Sequence, residues 1–286
     1  MSNVDLVVNT WERTYRDVVK PGFFPSIEVS NGRKFKKILL INNVDNMSFL
    51  KKAADELIHR NELDEYFVVE EELPKALMSL GLTLRDLGRV PHYSDAPLVA
   101  ITLPSTSDYL LYWDSEITLY HQCNWVDISI SLMENNPNIL CVNPSWHRGS
   151  VAKEAIFMIG DFSVGYGFFD QCFLIRMSDI DNIAWNCFCV ASLRYPLSHI
   201  APVFEQRIDA FMRRTHRLRA TYTKAVYVHP NEGMSYPSTD LAEKIRRIAF
   251  NALLRLLDVV PGSSSPCLKI NPKPSYRFDH NDRQSF

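Results

Sequence analysis

The chain has 286 residues, 46% of them hydrophobic and 22% charged, and a formal net charge of −2. That length and balance suit one large α/β domain or two smaller ones around a sizeable core, and they exclude the basic field of a nucleic-acid binder. The six cysteines lie mostly within apolar runs and form no CxxC pair, which points to buried free thiols in a reducing compartment. The segment from Met1 lacks the basic stretch and apolar core of a signal peptide, and no apolar run reaches the roughly 20 residues of a membrane span. A cytoplasmic protein is expected, with peripheral membrane association left open.

Taken in order, Val4 to Asn9 reads as a short apolar strand ending in the polar turn Asn9-Thr10-Trp11-Glu12-Arg13. Thr14 to Val19 follows as a short helix stopped by Pro21-Gly22. Lys37 to Ile41 is a second strand, closed by Asn42-Asn43-Val44-Asp45. Phe49, Leu50, Ala53, Ala54, Leu57 and Ile58 then recur at helical spacing, with Ser48 near the start. Tyr66 to Val69 is a third strand. Strands that alternate with helices imply crossover connections and a largely parallel sheet. In such sheets ligands sit beyond the carboxyl ends of the strands.

The next strand carries the main chemical signal. Tyr109 to Trp113 is an apolar run, and Asp114 and Glu116 follow it two residues apart. In an extended chain, positions i and i+2 face one side. Two carboxylates there could hold Mg²⁺ or Mn²⁺ when phosphates and water complete the shell. An acidic turn at a strand end is the plainer alternative. Ser94 or Asp95 is expected to cap a short helix running toward this strand. Beyond it, Trp125 to Glu134 reads as a helix and Ile139 to Val142 as a strand. Gly160 to Gly167 reads as a loop and Cys172 to Ile175 as a strand. Pro202 to Arg214 reads as a helix with Glu205 in its first turn. Ala225 to Val228 is a late strand ending at His229, and Thr239 to Leu257 is a strongly amphipathic helix. Residues 261–286 are expected to form a tail over the surface.

In that order the motifs resemble those of the GT-A glycosyltransferases, closest to the family-2-like enzymes that use nucleotide sugars. The resemblance runs from residue 4 to about 235. It rests on Asn9–Arg13, Asn42–Asp45, Ser94-Asp95, the Asp-x-Asp-like Asp114-Ser115-Glu116, Asp170 to Arg176, Phe204-Glu205, Arg213-Arg214 and Val228-His229-Pro230. Four positions depart from the family pattern: asparagines stand at 42 and 43 for aspartates, Glu116 for the second metal aspartate, and Phe204 for the first residue of an acidic pair.

The resemblance implies a single GT-A (Rossmann-like) domain over residues 1–260, with a donor half to about 120 and an acceptor half after it. It implies a metal-dependent inverting sugar transferase of the kind used in polysaccharide biosynthesis. A UDP- or GDP-sugar is the implied donor, and a glycan or lipid-linked hydroxyl the acceptor. Asp114, Glu116 and His229 become metal ligands, and Glu205 becomes the base with Asp170 as its competitor. Thr10, Trp11, Glu12, Asn43, Asp95 and Asp114 become contacts to the nucleotide sugar. Each has a local alternative as cap, turn or core residue. Trp146, Phe157, Phe162, Tyr166, Phe168 and Phe169 suggest an acceptor surface or core packing, and Arg213 to Arg219 a solvated basic helix end or a patch that approaches phosphates or an anionic glycan. The competing functions are a nucleotidyltransferase of similar fold, for which the glycine-rich basic loop is missing, and a non-catalytic glycan- or partner-binding protein.

Overall fold

The computed structural model describes residues 2–146, 155–195, 197–198, 200–229, 241–259 and 265–270. Ten strands form one mixed sheet with helices on both faces. The strands are β1 (Val4–Thr10), β2 (Lys36–Ile41), β3 (Glu65–Val68), β4 (Tyr109–Asp114), β5 (Thr118–Leu119), β6 (Ile139–Trp146), β7 (Ala155–Ile159), β8 (Phe162–Gly165), β9 (Cys172–Arg176) and β10 (Leu218–Val228). The order across the sheet is β3-β2-β1-β4-β9-β6-β10-β8-β7, with β5 paired to β10. The first four are mutually parallel, as the alternation of strands and helices predicts. Continuous runs such as Leu6-Val7-Val8 and Ile38 to Ile41 are buried on both faces, the pattern of a parallel sheet covered twice.

The helices are α1 (Tyr15–Val18), α2 (Phe23–Asn31), α3 (Met47–His59), α4 (Val69–Ser79), α5 (Asp95–Ala100), α6 (Trp125–Asn135), α7 (Met177–Ile180), α8 (Phe204–Thr215) and α9 (Leu241–Val259). Two apolar clusters, one on each side of the central strands, form the core. The cap of α3 is Asn46, whose side chain accepts from the Phe49 N–H at 3.2 Å, rather than Ser48.

Strand β9 is antiparallel to both neighbours, β4 and β6. Its start therefore lies at the same edge as the ends of β1, β2, β4, β6 and β10. Trp113 pairs with Cys172, and the Asp114 N–H donates to the Gln171 carbonyl at 2.8 Å.

Three local expectations are corrected, and one pair of alternatives is partly decided. Gly160 to Gly167 is not a loop: β7 and β8 form a hairpin there, and β8 pairs with β10. Strand β6 continues through Asn143 to Trp146 because Thr221, Tyr222, Val226 and Tyr227 of β10 pair with those residues. Phe162, Tyr166 and Phe168 are core residues, so that part of the aromatic cluster is packing. The basic run is solvated only in part: Arg214 and His216 are exposed, but Arg213 and Arg219 are 1% exposed, Arg217 pairs with Asp179 at 2.8 Å, and the Arg219 guanidinium lies over the Phe169 ring at 4.6 Å. Residues 147–154 lie outside the described residues, as does most of the expected tail.

The described part of that tail is docked. Arg213 Nε donates to Asp209, and its other nitrogens donate to the carbonyls of Pro266, Lys269 and Ile270 at 2.6–3.1 Å. Asp209 also accepts from the Gly167 N–H and the Ser192 hydroxyl. Burial alone would raise the proton affinity of Asp209, but the charges of Arg213 and Arg194 hold its pKa below the usual carboxylate range. Removing one partner strands a buried charge. Asp209→Asn is therefore expected to destabilise the fold by about 3–5 kcal/mol, measured as a shift in the urea unfolding midpoint.

Candidate active site

The site is built at the carboxyl edge of the sheet. Asp114 ends β4, and Glu116 follows in a tight turn whose N–H donates to Asp114 Oδ1 at 2.9 Å. Strand β5 then pairs back on β10, Thr118 against Val228 and Leu119 against Tyr227. This short ladder carries His229 onto Glu116: Nε2 lies 3.5 Å from the carboxylate. Ligand atoms of Asp114, Glu116 and His229 all lie within 4.8 Å of one another. Two hard carboxylates and an imidazole are a donor set suited to Mn²⁺ or Mg²⁺. His229 Nδ1 is buried without a hydrogen-bond partner among the described residues, so the ring is not committed to a structural bond through that atom. The residues fit a divalent cation.

Asp170 and Glu205 lie beside this cluster, both half-buried. Phe204, stacked among Phe168, Phe173 and Trp185, seats the start of α8. Its N–H donates to Ser94 Oγ at 2.9 Å, tying that helix start to the residue before α5. Glu205 then reaches Asp170, and the two carboxyl groups share a hydrogen bond. Burial, and next the charge of Asp114, push the Asp170 pKa up to about 7. Burial and the charge of Asp170 push Glu205 well above the carboxylate range, against the pull of Arg194. Like charges this close cannot both ionise cheaply. The pair therefore retains a proton at neutral pH. Asp114 is raised to about 6, mainly by burial, with the Glu116 N–H acting in the opposite direction.

The remaining predicted residues form the rim on the β1–β2 side. Thr10 is fully buried, and its hydroxyl is 3.0 Å from that of Thr14. Thr14 in turn accepts from the Ser115 hydroxyl at 2.7 Å, so β1 and the carboxylate turn are cross-linked. Trp11 is half-exposed, with the Arg13 guanidinium 5.0 Å from its ring centroid. Glu12 accepts from the Asp45 N–H at 2.9 Å, which joins the first two strand-end turns. Asn43 has a left-handed backbone, φ 49°, a conformation Asn tolerates better than most residues. Asp95 is buried and accepts from Asn42 Nδ2 at 3.0 Å and from the Ala96 N–H at 2.6 Å. Burial raises its pKa to about 6 despite those bonds.

Sequence reasoning missed Thr14, Ser115 and Asn42 as the links that hold this rim. It also missed Asn9 and Asn143, whose side-chain oxygens are buried at the same edge without a partner among the described residues. Buried unpaired acceptors call for a ligand or water. An asparagine directly after an apolar run was the available signal, and it is too common to read alone.

No protein-family model matches the chain, and no curated protein matches its sequence. Solved structures to which it is similar include glucosyl-3-phosphoglycerate synthase from Mycobacterium tuberculosis in complex with Mn²⁺, UDP and phosphoglyceric acid. That match has 14% identity and a TM-score of 0.45, and covers 92% of this chain and 81% of that one. GalNAc-T7 with UDP, GalNAc and Mn²⁺ matches at 10% identity and a TM-score of 0.46, over 80% of this chain and 44% of that one. S. aureus TarS matches at 10% identity and a TM-score of 0.47, over 92% and 45%.

Asp170 gives a testable stability signature. Its folded pKa is raised, so the stability it contributes is fully present below its unfolded pKa, near 4, and is lost as pH rises through about 7. Asp170→Asn removes that loss. The variant is expected to gain on the order of 1 kcal/mol or more over the parent at pH 8 and little at pH 4.5, read as the difference in thermal midpoint at the two pH values.

Proposed function

We propose that the chain is a metal-dependent inverting glycosyltransferase, which moves a sugar from a nucleotide-sugar donor to a hydroxyl acceptor. The observation that carries this reading is the placement of a proton-sharing carboxyl pair, Asp170 and Glu205, beside the Asp114–Glu116–His229 cluster at one sheet edge. Asp114, Glu116 and His229 would hold the divalent ion. When bound, that ion offsets the charge gathering on a departing diphosphate.

The chain's own residues account for the rest. The Asn9–Arg13 and Asn42–Asp45 turns, joined through Glu12, form the rim on which a nucleoside would lie, and the half-exposed Trp11 offers it an aromatic face. Asp95 orients Asn42 within that rim. The carboxyl pair supplies the base. With one proton held between Asp170 and Glu205, the ionised member accepts the acceptor's hydroxyl proton as the oxygen attacks the anomeric carbon. A base that activates the acceptor directly implies a single displacement with inversion. The sequence points to Glu205 as the base; the geometry favours the pair, with Asp170 the member that loses its proton first. The acceptor is a glycan or lipid-linked hydroxyl in this reading.

Calorimetric titration of UDP, GDP and CDP with and without Mn²⁺ tests the donor site. One nucleotide is expected to bind in a Mn²⁺-dependent manner, and Asp114→Asn to abolish that dependence. A folded chain that binds none of them overturns the proposal in favour of a non-catalytic binder. With donor and acceptor identified, Glu205→Gln and Asp170→Asn are each expected to lower kcat by about 100-fold or more while nucleotide affinity stays unchanged. In the parent, kcat should climb between pH 6 and 8 as the pair gives up the first of its two protons and reaches the singly protonated state, with an apparent pKa near 7.

A further inference from the structure

Helix α9 presents an apolar stripe that the described protein does not cover. Leu241, Ile245, Ile248, Ala252, Leu256 and Val259 recur at spacings of four and three, which places them on one helical face. All six are exposed; apart from the small Ala252, they are 57–75% exposed. The opposite face docks on the body of the protein. Leu254 is 2% exposed, and the helix packs against the 3-10 turn Val190–Arg194. Among the helix's described side chains the one carboxylate, Asp258, turns inward and accepts from the Ile270 N–H at 2.8 Å.

The borders of the stripe are cationic. Lys244 and Arg255 lie along one flank and Arg246 toward the other, all exposed. The helix carries four basic residues against two acidic ones, within a chain whose net charge is −2. A helix that lies along the surface, with an apolar face between basic flanks, has the form of a segment that rests in the headgroup region of a bilayer. Lysine and arginine there lay their apolar stems along the acyl boundary and keep their charges at the phosphates. The stripe runs the full 19 residues, about 28 Å at 1.5 Å per residue. An exposed apolar face of that length suits contact with a planar membrane. No described helix is long and apolar enough to cross a membrane.

We propose that α9 is an interfacial anchor that binds the protein peripherally to membranes carrying anionic lipid. This attachment is independent of the sugar-transfer reading.

The test is co-sedimentation of the full chain with vesicles, either of phosphatidylcholine alone or with about one third phosphatidylglycerol. The chain is expected to pellet with the anionic vesicles, weakly or not at all with the neutral ones, and less at high salt. Ile248→Glu and Leu256→Glu, at exposed positions, should each reduce partition by about tenfold or more. Lys244→Glu with Arg255→Glu should abolish the preference for anionic vesicles. Unchanged thermal melts will show that the variants are folded. Failure of the parent chain to bind anionic vesicles overturns the proposal. So does a concentration-dependent dimer, seen by sedimentation velocity without lipid and broken by Leu256→Glu, because the stripe would then belong to a second copy.

Discussion

The antiparallel strand β9 between β4 and β6 is the constraint on which the site depends. A wholly parallel sheet would send Asp170 to the opposite edge, some five residues of strand away from Asp114. Reversal of one strand instead starts β9 where β4 ends, and the backbone bond from Asp114 to Gln171 fixes the two together. Glu205 completes the arrangement because α8 is anchored at its first residue by an aromatic stack and by the Ser94 hydroxyl. The site is thus assembled from four separate parts of the chain, each held by ordinary packing or backbone pairing.

That assembly has an electrostatic cost. Asp95, Asp114, Glu116, Asp170 and Glu205 gather at one edge, and burial raises the proton affinity of four of them. Groups with ionisation perturbed in this way cluster at functional sites. Here the shifts are unequal in a way that separates roles. Asp95 has its bonds to Asn42 and the Ala96 N–H. Asp114 has the Glu116 N–H and the nearby histidine. Asp170 and Glu205 have mainly each other, which makes them the pair poised to exchange a proton.

The parallel half of the sheet was legible in the sequence because its strands are short, mostly apolar and closed by polar turns. Asp114, Glu116 and His229 were legible as a set through their order along the chain. What was hidden is non-local. Strand β8 is glycine- and aromatic-rich, and it becomes a strand because β10 offers it a partner. Arg213 and Arg219 look like solvent-facing charges in a one-dimensional reading, but an aspartate four residues away and an aromatic ring on another loop bury them. The Asp170–Glu205 contact joins residues that periodicity cannot relate. Thr14 and Ser115 are common polar residues whose role appears only when two strand ends meet.

The docking of residues 266–270 on Arg213 bears on how the chain matures as it is made. Arg213 is synthesised 53 residues before Pro266, the first of the carbonyls that satisfy it. Chains emerge from the ribosome amino end first. For that interval α8 must either hold a guanidinium short of acceptors or delay closing over it. The helix that seats Glu205 would then reach its final packing only after residues 266–270 have left the exit tunnel, so the carboxyl pair would settle later than the strand ends that flank it.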